Sequence, residues 1–154
     1  MWKVTGWPKG NVVDTRGVTL TVASDDRLVD AIEKVLKKES GVTLRLKLDG
    51  VSRLPERAVA KVFLNVSKSD STPPNDPPAP QYLGAISSFG KLEKSTHVFD
   101  LGPCLRRLVA NKLWKVGDPF TVRIVLAPIT PKDSVEGKSI TIDMVTVEQI
   151  NSAK

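Results

Sequence analysis

Residues 42–49 read VTLRLKLD, a strict alternation of apolar and polar side chains that ends at Asp49-Gly50. Successive side chains of a β-strand point to opposite faces of its sheet. The stretch therefore predicts an antiparallel strand with one face in a core and the other in solvent. The Asp49-Gly50 pair predicts a turn directly after it.

The same alternation recurs on both sides of this strand. Residues 58–66 and 120–126 repeat it. Residues 140–147 begin with it before the apolar parity flips, which predicts either a β-bulge or a strand buried on both faces. Residues 12–13 and 18–22 flank DTRG and predict a tight hairpin. Residues 82–87 and 96–101 are weaker strand candidates.

Two segments have helical spacing instead. Residues 25–38 place their apolar side chains on one stripe, with Ser24 or Asp25 as the cap. Residues 103–113 do the same after Gly102, a candidate N-cap, and Pro103, which suits a first helical turn. These helices are short beside about seven strands. The sequence therefore predicts a mainly β protein, an antiparallel, jelly-roll-like β-sandwich with one or two short helices.

The organisation along the chain is simple. We expect one β-sandwich domain over residues 12–150, preceded by a junction segment over residues 1–11. Residues 71–80 read STPPNDPPAP and hold five of the eleven prolines, which predicts a stiff, extended surface loop rather than a strand.

Composition excludes several classes of protein. The chain has 154 residues, 40% of them apolar, which is enough for a packed core. No apolar run approaches the roughly 20 residues of a membrane span, and no signal peptide is visible. The net charge of +6 is spread evenly, +3 on residues 1–77 and +3 on residues 78–154, so a nucleic-acid partner is not favoured. One cysteine and one histidine exclude a disulfide framework and a multi-histidine metal site.

Few residues offer chemistry, and each has a simpler structural interpretation. His97 is a general-base candidate but has no visible triad around it. Cys104 stands at a helix start, where a thiolate is favoured, or is a small buried apolar residue. Arg106 and Arg107 are interpreted as solvated helix-face charges or capping charges. The sequence shows neither a phosphate loop nor a paired-carboxylate motif, so a self-sufficient enzyme is not expected.

The order of the segments resembles the C-terminal domain of tyrosinases and polyphenol oxidases, known in plant enzymes as the KFDV domain. The strands VTLRLKLDGV and AKVFLNV are followed by the proline-rich loop, then QYLGAISSFG, THVFDLGPCLRRL, DPFTVRIVLAP and SITIDMVTVEQI. The matching positions are Tyr82, Gly84, Phe89, Gly90, Phe99, Asp100, Leu101, Leu105, Leu108, Pro119, Thr121, Val122, Ile140, Ile142 and Val145.

The resemblance implies a shielding role. In latent members this domain covers the type-3 di-copper site of the catalytic domain and blocks phenolic substrates until it is removed. Such a site needs six histidines, and this chain contains a single histidine. The resemblance therefore implies no cofactor in this chain and places copper in a partner catalytic domain of the same precursor. The resemblance implies that one side chain acts as a placeholder in the copper pocket. Phe89 is the first candidate and Leu83 the second; the alternative for Phe89 is a side chain that fills the sandwich core. Trp2, Trp7 and Tyr82 are candidate interface residues.

Two other functions stay open at this point. A stand-alone β-sandwich binding module would use its tryptophans to stack on a carbohydrate or to hold a protein ligand. A small enzyme would need a cleft that places His97 or Cys104 beside a base or an orienting acid.

Overall fold

A computed structural model of the protein describes residues 2–5, 10–14, 16–22, 25–37, 41–54, 57–64, 81–87, 94–112, 114–118, 120–129 and 137–151. The elements are β1 (Trp2–Thr5), β2 (Val12–Val13), β3 (Val18–Val22), α1 (Asp26–Leu36), β4 (Val42–Ser52), β5 (Ala58–Leu64), β6 (Tyr82–Ser87), β7 (Lys94–Asp100), α2 (Gly102–Ala110), β8 (Phe120–Pro128), β9 (Ile140–Thr141) and β10 (Met144–Asn151). The predicted loop over residues 71–80, Trp7 and Phe89 lie outside these ranges.

The architecture is mainly antiparallel β with two helices, as the sequence predicts. Eight strands pair in the order β6-β5-β8-β3-β1-β10-β4-β7, and β2 pairs with β9. The described residues form ten strands rather than about seven. β1, four residues long and too short to display an alternating pattern, was not predicted, and the strand predicted over residues 140–147 is divided into β9 and β10.

The short strand β1 joins two halves of the large sheet. Trp2 and Lys3 pair with β10, whereas Val4 and Thr5 pair with β3. The inward faces of β10-β4-β7 and of β3-β8-β5-β6 contribute to one continuous apolar core. The division of the chain after residue 11 stays a prediction, but residues 2–5 are an integral part of the sheet.

β4 lies between β10 and β7 and confirms the alternation that the sequence displays. Leu44, Leu46 and Leu48 are fully buried. The turn predicted at Asp49-Gly50 is wrong, because the strand continues to Ser52. The register with β7 shifts between Leu48 and Val51, and Gly50 has φ +66, so the apparent turn signal marks a β-bulge.

The hairpin predicted around residues 14–17 is also wrong, although its turn forms. The Gly17 amide donates to the Asp14 carbonyl at 3.0 Å, and Gly17 has φ +75. However, β2 pairs with β9 and β3 pairs with β1 and β8. The Asp14 carbonyl also accepts from the Leu126 amide of β8 at 3.1 Å, so the turn is held by β8.

The parity flip near the C-terminus falls at a gap between two strands, and the strand that follows is buried on both faces, the second of the two predicted explanations. Ile140 and Ile142 are buried, residues 143 and 144 are exposed, and Val145, Thr146 and Val147 are all buried. The flip coincides with the break between β9 and β10. There the Asp143 amide donates to the Asp49 carbonyl at 2.9 Å, which ties the break to the β4 bulge.

The two helices pack beside each other and on β4. Asp25 is the N-cap of α1, and its carboxylate accepts from the Leu28 amide at 2.8 Å, as predicted. Gly102 is the first residue of α2 rather than its cap; Asp100 accepts from the Gly102 amide at 2.9 Å. The Arg106 guanidinium donates to the Val35 carbonyl at 3.2 Å and joins α2 to α1.

Candidate functional site

Two predicted site residues, Tyr82 and Leu83, lie on β6 at one end of the large sheet. The Tyr82 ring packs on Phe63, with 5.5 Å between centroids and 55° between planes. Leu83 is half-buried against the core, at the register shift between β6 and β5. Both side chains are therefore engaged within the domain. Phe89 follows β6 in the sequence but lies outside the described residues.

β7, at the other end of the strand order, packs against β6. We call their contact the β6–β7 seam, defined by Gly84 of β6 and Phe99 of β7. A Cβ added to Gly84 would stand 2.6 Å from Cε1 and 2.9 Å from Cδ1 of Phe99. The ring therefore occupies the space above a residue that has no side chain. This contact joins the two ends of an otherwise open strand order.

The stretch VFDL gave the family resemblance, and its last three residues each have a structural role. Phe99 packs over Gly84, and Asp100 accepts from the first amide of α2. Leu101 is fully buried, and its amide donates to the Leu44 carbonyl at 2.9 Å. Together they connect β7, the β6–β7 seam and α2. Val98, by contrast, is 48% exposed on the outward face of β7.

Arg107 provides a second connection to β6. Arg107 lies in α2, and its Nη2 donates to the Tyr82 carbonyl at 2.8 Å. Arg106 and Arg107 are not simply solvated: Arg106 donates to the Val35 carbonyl in the last turn of α1, which agrees with the capping interpretation, whereas Arg107 donates to β6. Sequence spacing alone cannot reveal such contacts, since Arg107 is 25 residues from Tyr82.

Cys104 lies in the interior of the domain, which agrees with the structural interpretation of this residue. It is 1% exposed. Burial raises the pKa of its thiol to about 11, outweighing the opposing effect of the Arg107 guanidinium. The thiol is therefore protonated at neutral pH and is not an activated nucleophile.

His97 is half-buried on β7, opposite Leu48 of β4. Its Nε2 is 2.8 Å from the Ser95 hydroxyl, two residues away on the same face of the strand. Burial lowers the pKa of His97 below its usual value of 6.5. This environment disfavours the imidazolium. His97 is therefore best described as a neutral side chain at the margin of the core.

The lowered pKa predicts acid sensitivity of the domain. His97 takes up a proton more easily in the unfolded chain, so the folded state loses stability as pH falls through about 6.5 toward the lower folded-state value. The contributions of Asp14 and Asp25, whose pKa values are lowered from 3.8 by hydrogen bonding, are lost only in a more acidic range. We expect the urea midpoint to drop between pH 7.5 and 5.0.

The matched variant is His97→Gln, which keeps a polar group near Ser95 without titrating. Its urea midpoint is expected to change much less across the same pH range. Because His97 is the only histidine in the chain, an equal drop in both proteins would contradict this prediction.

Two of the three tryptophans can be placed. Trp2 is half-buried against the core, and its indole N–H lies 3.1 Å from both carboxylate oxygens of Asp25. Trp114 is 6% exposed and donates to the Asp118 carbonyl at 3.1 Å. Trp114 is thus too buried to stack on a sugar, and the N–H of Trp2 is engaged by Asp25. Trp7 lies outside the described residues.

An open depression of about 380 Å³ is lined by Val12, Asp14, Arg16 and residues 137–139. Its lining includes Asp14 and Arg16, which form an exposed ion pair at 3.0 Å, together with Lys138. Within the described ranges, no three His, Cys, Asp or Glu side chains are close enough to hold a metal ion. The described helices include none that is long and apolar enough to cross a bilayer.

Solved structures with the same fold come from polyphenol oxidases. Latent aurone synthase, a polyphenol oxidase, superposes in its recombinant form with a TM-score of 0.55 and 18% identity. The match covers 97% of this chain and 27% of that one. The fold is that of one part of a polyphenol oxidase.

Other structures of latent aurone synthase agree. The enzyme from its natural source gives a TM-score of 0.53 at 18% identity, again over 97% of this chain and 27% of that one. The recombinant form co-crystallised with hexatungstotellurate(VI) gives 0.55 at 16% identity, over 99% and 29%. No family model and no curated protein matches the sequence. The chain thus spans between a quarter and a third of the length of the oxidases it superposes on.

Proposed function

We propose that this chain is the non-catalytic, C-terminal domain of a tyrosinase or polyphenol oxidase, and that it shields the di-copper site and keeps the enzyme latent. The observation that carries the proposal is the likeness over 97% of the chain to 27% of an oxidase that is itself described as latent. The partner is the catalytic domain, encoded in the same precursor.

The side chains of this domain support a role without chemistry of its own. The Cys104 thiol is buried and protonated, and His97 contacts Ser95. A type-3 di-copper site needs six histidines by the family resemblance, and this chain has only His97. We therefore place copper in the catalytic partner and assign no copper ligand to this domain.

Shielding requires that an apolar side chain replace the substrate in the copper pocket, because a phenol binds there through its apolar ring. Leu83 packs against its own core and would have to leave it to serve as the placeholder. We therefore propose Phe89 as the placeholder. The carbohydrate-binding alternative is less well supported, since Trp2 and Trp114 are both engaged within the domain.

The test is an inhibition assay. The purified chain is added to a copper-loaded polyphenol oxidase catalytic domain, and catechol oxidation is followed. We expect dose-dependent inhibition. Burial of a phenylalanine side chain contributes about 1.5–3 kcal/mol, so Phe89→Ala is expected to raise the half-inhibitory concentration by roughly tenfold or more.

Val98→Ala is the control, because it removes an apolar side chain that is 48% exposed on β7, and it is expected to leave inhibition unchanged. Equal inhibition by Phe89→Ala and the unmodified chain would remove Phe89 as the placeholder. Absence of any inhibition by the unmodified chain would overturn the shielding function, and a glycan-binding screen would follow.

A further inference from the structure

The β6–β7 seam is the place where the two ends of the large sheet meet. β6 is paired on one side by β5, and β7 on one side by β4. Ser87 ends β6 and Lys94 begins β7, so both strand ends lead to the sequence that carries Phe89. The relative position of these ends depends on how β6 and β7 are held together.

Two contacts across this region are independent of strand pairing. The Phe99 ring packs over Gly84, and the Arg107 guanidinium donates to the Tyr82 carbonyl. Ile86, 1% exposed, adds a buried apolar side chain between them and Ser87. β6 is therefore held to β7 through Gly84 and Phe99, and to α2 through the Tyr82 carbonyl.

Gly84 has a steric reason to be glycine. Its φ is not positive, so an alanine would fit the backbone. The obstacle is the Phe99 ring, which would lie 2.6 Å from an added Cβ, closer than carbon atoms approach without displacement. A methyl group here must push the ring out of the core or push β6 away from β7. Either movement opens the β6–β7 seam.

We infer that Gly84 and Phe99 are positioning residues for shielding: their contact sets where the strand ends Ser87 and Lys94 stand when the domain meets its catalytic partner. The inference rests on the proposed function and adds to it a determinant of latency within the domain. Arg107 supports the same position through its bond to the Tyr82 carbonyl.

The experiment compares Gly84→Ala with the unmodified chain in two measurements. Hydrogen exchange on the chain alone is expected to accelerate at the amides of residues 82–87 and to stay unchanged at residues 42–48. In the catechol assay, the half-inhibitory concentration is expected to rise about tenfold, as overpacking of a well-packed site commonly costs enough for such a change.

A size swap separates positioning from loss of stability. Phe99→Leu removes the ring that blocks the added methyl, so the double variant Gly84→Ala/Phe99→Leu is expected to inhibit better than Gly84→Ala. Ile32→Val, in α1, lowers stability away from the seam and is expected to inhibit normally. Where Gly84→Ala does not fold, Arg107→Met tests the position of β6 instead, because it removes the donor to the Tyr82 carbonyl.

The outcomes distinguish the two proposals. Undiminished inhibition by folded Gly84→Ala or Arg107→Met would overturn the inference and leave shielding intact. An equal loss in Ile32→Val would also overturn it, since general instability would then explain the effect. If the unmodified chain fails to inhibit, the proposed function is wrong and the positioning role falls with it.

Discussion

Phe63→Ala is expected to lower the free energy of unfolding by about 3–5 kcal/mol, the range for removing a fully buried aromatic ring. Phe63 is 0% exposed although it stands on the outward face of β5, apart from the main apolar core. It packs on the Tyr82 ring of β6. Its loss therefore leaves a cavity and also removes an aromatic contact that holds β6.

The control is Val59→Ala, on the same outward face of β5 but only half-buried. Its cost is expected to stay near about 1 kcal/mol, because little apolar surface is buried there. Urea unfolding followed by tryptophan fluorescence measures both variants. If Phe63→Ala lowers the free energy of unfolding no more than Val59→Ala does, the packing of Phe63 against Tyr82 on the outward face contributes nothing to stability.

Gly50→Ala is expected to cost about 2–4 kcal/mol, the sum of a left-handed backbone and a steric overlap. Gly50 has φ +66 at the β4 bulge. An added Cβ would lie 2.6 Å from Cβ of Asp143, an atom fixed to the backbone, so rotation of the Asp143 side chain gives no relief. The Asp143 amide is bonded to the Asp49 carbonyl, so the backbones cannot separate freely.

Two comparisons separate the backbone contribution to the cost of Gly50→Ala from the steric contribution. Gly137→Ala has φ +74 and nothing within 4 Å of the added Cβ, so it measures the backbone contribution alone, about 1 kcal/mol. In a second comparison, Asp143→Gly is combined with Gly50→Ala, which is expected to recover the steric part. Equal losses for Gly50→Ala and Gly137→Ala in urea unfolding would show that the close approach at the bulge costs nothing.

Periodicity predicted the elements whose side chains alternate over many residues. Residues 42–48 revealed their buried face because a long strand with one solvated side repeats its pattern several times. The α1 helix was also predictable, since its cap and apolar stripe are local in sequence. Where a strand has only two to four residues, as in β1 and β2, its pairing depends on distant partners that no local pattern encodes.

The contacts at the candidate site were less predictable for the same physical reason. Phe63 has outward parity yet is buried, because Tyr82 of the next strand packs on it. Gly84 and Phe99 belong to strands that share no ladder of hydrogen bonds. The VFDL stretch was recognised by family resemblance. The contacts of its individual side chains could not be predicted in this way, because they depend on packing between separate elements.

The position of β1 bears on how the chain folds as it is synthesised. Within this stretch of chain, β1 leaves the ribosome before the other described strands, and its partner β10, residues 144–151, leaves after them. The two halves of the sheet cannot be joined through β1 until β10 has emerged. Contacts between such distant segments form slowly and leave strand edges uncovered in the meantime. The nascent domain therefore depends on protection from aggregation until its final strand is available.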